Sequence, residues 1–94
     1  MIVASAEIDL RLTNHAHSLK DKRSVIRSLR EKIIHKFKVS VAEVDSHDLW
    51  QRSMIGIALV GQTKREAETF LQKIIQFIEN SKDLEIITCN IEIY

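Results

Sequence analysis

Apolar residues along this chain recur first at every second position and then at every third or fourth. The order in which those two periods alternate limits the folds open to it. Ile2, Ala4, Ala6, Ile8, Leu10 and Leu12 fall on one side of an extended segment, with Ser5, Glu7, Asp9 and Arg11 on the other. Period two with one polar face marks a half-buried strand. The run Thr13-Asn14-His15-Ala16-His17 is polar, and Ser18 followed by Asp21 three residues on predicts a capped helix start. Leu19, Val25, Ile26, Leu29, Ile33 and Phe37 then repeat at helical spacing, which predicts an amphipathic helix over residues 19–37.

Val39–Val44 is short and rich in β-branched residues, a second strand, and Asp45 to Arg52 connects it to a third at Met54–Val60. In that third strand Ile55, Ile57 and Leu59 are the larger apolar set, opposite Gly56 and Ala58. Thr63 with Glu66 forms a capping box for a helix carrying Ala67, Phe70, Leu71, Ile74, Phe77 and Ile78, ending near Asn80-Ser81. Leu84–Tyr94 closes the series, with Ile87, Cys89, Ile91 and Ile93 alternating with Thr88, Asn90, Glu92 and Tyr94.

The order β-α-β-β-α-β, right-handed crossovers and the pairing of sequential strands predict an α+β, ferredoxin-like fold. Its four-stranded antiparallel sheet takes the order 4-1-3-2, with both helices on one face. At 94 residues, with no linker or repeat, the chain reads as a single domain over residues 1–94. The first and second strands run the same way in this topology, so the loops that follow them emerge at one end. His15, His17 and Lys20 are therefore expected near Asp45, His47, Asp48, Trp50 and Arg52.

No apolar run approaches the ~20 residues of a membrane span. The opening Met1–Glu7 has no basic region and meets a carboxylate early, unlike a secretory signal. A lone cysteine, Cys89, has no intramolecular disulfide partner, and a reducing cytoplasm is the expected compartment. The net charge of +1 conceals an uneven distribution. Residues 11–38 hold nine basic and two acidic side chains, a net +7, and the remainder holds five basic and eleven acidic, a net −6. Such a division points to an anionic partner on one side, against the plainer reading of a solvated helix face.

Three histidines and two aspartates at one loop edge suggest a divalent metal, with His15, His17, His47 and Asp45 as ligands of a metal-dependent enzyme. Neither a second cysteine nor an HExxH pattern supports it, and the expectation is no cofactor. With only Gly56 and Gly61 present, neither entering the first helix, there is no glycine-rich phosphate loop. Ser18 has a capping role, and Cys89 is expected to be an inert thiol buried on the apolar side of the last strand. Base stacking on the two central strands is ruled out by Ser5, Glu7, Asp9, Gly56 and Ala58 at the solvent-facing positions. Lys20, Arg23, Arg27 and Arg30, at i, i+3, i+7 and i+10, instead make a cationic row beside the apolar face of the first helix. Trp50 and Arg52 would add a stacking platform at its N-terminal end.

Three stretches carry a family resemblance: His17-Ser18-Leu19-Lys20-Asp21-Lys22-Arg23-Ser24-Val25, Val39-Ser40-Val41-Ala42-Glu43 and Asp48-Leu49-Trp50-Gln51-Arg52. In that order, over the first sixty or so residues, the chain resembles the YlxP-like family of small bacterial proteins of unknown function. Beyond Gly61 only the helix-then-strand pattern agrees, and His15 stands where the family often has a glycine, a small or an apolar residue. The resemblance implies a ferredoxin-like fold, no established activity, and genes often found among those for translation and ribosome maturation.

These readings converge on a non-enzymatic binding module or accessory factor acting on RNA or a ribonucleoprotein. Its expected partner-binding residues are His17, Lys20, Lys22, Arg23, Arg27, Arg30, His47, Asp48, Trp50 and Arg52. The same loop edge admits a structural role, in which Asp48 or Glu43 pairs with Lys22 or Arg23. The alternative function is a dimeric small-molecule or protein-interaction module, suggested by Met54, Gly56, Ala58, Val60 and Tyr94 on the uncovered sheet face. No membrane partner is expected.

Overall fold

The structure, a computed structural model, describes residues 1–13, 18–46 and 49–94. Six elements follow in the expected order: β1 (Ile2–Leu12), α1 (Leu19–Phe37), β2 (Ser40–Asp45), β3 (Arg52–Gly61), α2 (Lys64–Glu79) and β4 (Leu84–Ile93). The strands form one antiparallel sheet in the order β2-β3-β1-β4, the expected arrangement read from the other edge. This is the ferredoxin-like α+β fold.

The alternation in β1 puts Ala4, Ala6, Ile8, Leu10 and Leu12 into the core, joined by Ile55, Ile57 and Leu59 of β3. Ile26, Leu29 and Ile33 of α1 and Ala67, Leu71, Ile74 and Ile78 of α2 close over them in the same cluster. Alanines in β1 leave room for the larger side chains of this cluster, as close packing requires. Each helix starts where its sequence dictates. The Ser18 hydroxyl accepts from the Asp21 amide and the Thr63 hydroxyl from the Glu66 amide, both at 3.1 Å. No helix among the described residues is long and apolar enough to cross a membrane.

Two irregularities separate the structure from the sequence pattern. Between β1 and β4 the register shifts, so that Asp9 faces Thr88 while Leu10 faces Ile86. Ile87, expected on the apolar side, is the extra residue of this bulge and is exposed, whereas Ile86 packs against the core. Between β2 and β3 a second shift leaves Val44 unpaired, with Glu43 facing Ile55 and Asp45 facing Met54. The expected burial of Cys89 is also corrected. It stands opposite buried Ile8, but β4 is an edge strand and the cysteine is exposed.

Candidate functional site

Helical geometry places Lys20, Arg23, Arg27 and Arg30 within an arc of about 80° on α1. All four are exposed, on the crest of the helix outside the buried Ile26, Leu29 and Ile33. None of the four has a carboxylate within ion-pair distance among the described residues, although Glu31 follows Arg27 at the favourable i, i+4 spacing.

Lys22, on the same helix, has the opposite fate. Its side chain is 0% exposed, with Nζ 2.6 Å from Glu43 Oε2 and donating to the Ser46 carbonyl at 2.7 Å. The same Glu43 oxygen accepts from the buried Ser53 hydroxyl at 2.5 Å. Of the structural pairings expected at this edge, Glu43 with Lys22 is formed among the described residues. Lys22 is therefore corrected from a partner-binding residue to an internal tie between α1, the end of β2 and the start of β3. The sequence signal missed was Ser53, which follows the inward period of β3 as a polar residue among Ile55, Ile57 and Leu59.

Arg52 is engaged away from that helix. As the first residue of β3 it faces away from Ser53, and so away from the helices, and its guanidinium lies 2.6 Å from Asp9 on β1. It does not join Trp50 in a platform beside α1. Its Nε is buried with no hydrogen-bond partner. Trp50, in the connection spanning residues 46–51, is 38% exposed beside Leu49 at 53%. His15, His17, His47 and Asp48 lie outside the described residues, and with them most of the expected metal set. Asp45 Oδ1 accepts from the Ser46 amide at 2.7 Å, and no cluster of three metal-ligating side chains occurs among the described residues.

A cleft of about 370 Å³ that the sequence did not announce runs along the flank of α1 facing α2. Ser24, Ser28 and Lys32 form one wall, Asn80 the other, and Leu29 and Phe77 the floor. It lies between residues of two helices and the segment that follows the second, and such a gap leaves no mark in the spacing of either helix.

Partial burial, and then the Glu79 carboxylate, push the Cys89 thiol up, which holds it protonated and unreactive near neutrality. Glu92, which accepts the Tyr94 hydroxyl proton, raises that phenol in turn.

A family model described as "Protein of unknown function (DUF503)" matches residues 3–91. The chain is similar to the uncharacterized protein YlxP of Bacillus subtilis (strain 168), with 37% identity over 70 residues covering 74% of this chain and 76% of that protein.

Proposed function

The chain belongs to the YlxP-like family of proteins of unknown function (DUF503), and from that premise we propose that it is a non-enzymatic RNA-binding accessory factor. It acts on RNA, free or within a ribonucleoprotein, in cytoplasmic translation or ribosome maturation. The observation that carries this reading is the exposed row Lys20, Arg23, Arg27 and Arg30, with no ion-pair partner among the described residues. Cations so arranged track a phosphate backbone, releasing its counterions without reading sequence. The company kept by the family's genes supports RNA over a metabolic substrate.

Binding of a single-stranded RNA measured against salt tests the reading. The log–log slope should be about −0.7 for each phosphate neutralised, and Arg27→Gln with Arg30→Gln should flatten it by about 1.4. A slope indifferent to both substitutions would reduce the row to ordinary solvated surface.

A second reading, self-association through the uncovered sheet face, rests on Val44 and Val60, 49% and 65% exposed, beside a shallow depression floored by Gly56 and Ala58.

A further inference from the structure

We propose that the cleft between α1 and the end of α2 is a nucleobase site, which receives one unstacked base of a strand held on the cationic row. The inference rests on the RNA reading and adds to it a place where bases, rather than phosphates, are bound. Four observations on the molecule lead there.

The cleft, at about 370 Å³, falls in the ~300–1,000 Å³ range of small-molecule sites and is large enough for one base. Its floor is apolar, built from Leu29 and the half-buried ring of Phe77, which suits the flat face or edge of a heterocycle. Its walls carry hydrogen-bonding groups with capacity to spare. The hydroxyls of Ser24 and Ser28 and the carboxamide of Asn80 make no side-chain hydrogen bond among the described residues. Between them they supply both donors and acceptors; a base edge uses both, whereas a phosphate uses donors alone. Asp83 also lines the cleft, as does Lys32. A carboxylate there repels phosphate and accepts from the exocyclic amine of a base.

Position completes the argument. By helical geometry Ser24 stands about 40° round the helix from Lys20 and about 60° from Arg27. A strand whose phosphates follow the row therefore passes within one side chain of the cleft mouth, and a base turned toward α2 enters it. The row supplies sequence-independent attraction, and the cleft makes the protein sensitive to the presence of a base.

The test compares a five-nucleotide oligoadenylate with an abasic ribose–phosphate pentamer of equal charge, using the whole protein and fluorescence anisotropy across a salt series. The oligoadenylate should bind about tenfold more tightly, in line with one base held by contacts. Ser28→Leu, which fills the cleft at an exposed helical position without a helix-breaking residue, should erase that advantage and leave the salt slope unchanged. In ¹⁵N-labelled protein the oligoadenylate should shift the Asn80 carboxamide resonance, and the abasic pentamer should not. Equal affinity for the two ligands, or an advantage that survives Ser28→Leu, overturns the base site while leaving a salt-dependent RNA reading intact. Absence of binding to either pentamer removes both.

Discussion

An ammonium with no access to water, as at Lys22, persists only while the oxygens around it stay in place. Glu43 supplies the compensating charge, and Ser53 occupies the same carboxylate oxygen from the other side. Removing Glu43 withdraws the carboxylate 2.6 Å from a buried ammonium, which costs more than the pair contributes. Glu43→Ala should therefore lower stability by ~3–5 kcal/mol in urea melts. Replacing the whole group, Lys22→Met with Glu43→Leu and Ser53→Ala, should stay within ~2 kcal/mol of the parent, because no buried polar group then lacks a partner. A triple variant as unstable as Glu43→Ala would show that packing, not charge compensation, governs this corner. Trp50 contrasts with Lys22: over a third of it is exposed. It therefore lacks the full burial behind the ~3–5 kcal/mol cost of losing an aromatic core residue.

Elements were legible in the sequence wherever one period held without competition. The limits of α1 coincide with residues 19–37 because Ser18 caps one end and apolar spacing stops at Phe37. Lys38 then takes the left-handed conformation, φ 56°, and returns its amide to the Ile34 carbonyl. The bulge in β4 was not legible. Ile86 and Ile87 are equally apolar, and only pairing with β1 decides which one turns inward. The second bulge has a testable counterpart in Gly56, where an added Cβ would stand 2.9 Å from Val44 Cγ1. Gly56→Ala should cost about 1 kcal/mol, at the low end for overpacking, since half-exposed Val44 has room to turn. Adding Val44→Ala should recover most of that loss, so a double-mutant cycle in denaturant should show coupling between the sites. Strict additivity would mean that the close approach is relieved by the backbone. Of the candidate site, the cationic row was legible from spacing alone. The commitments of Lys22 and Arg52 were not, because they depend on which strand lies beside each.

At the scale of the molecule, charge is divided between faces. The basic residues crowd α1, while the uncovered side of the sheet carries Glu7, Asp9 and Glu92, with Asp9 held by Arg52. Such a dipole orients the helix face toward a polyanion before contact and turns the sheet face away. It also bears on self-association, since carboxylates repel one another if two sheets meet face to face. Light scattering distinguishes the cases: a mass of 10.9 kDa at working concentration removes pairing through the sheet. A doubled mass that reverts on Val60→Lys would establish it.

β1 sits between β3 and β4, yet β4 follows every other element in the chain. However early β1 pairs with β3, it carries one unsatisfied backbone edge until β4 joins it. Its pairing with β4 joins residues as far apart as Ala4 and Ile93, a long-range contact of the kind that slows folding. The sheet therefore closes along that side only when β4 docks, and until then its central strand is open to pairing.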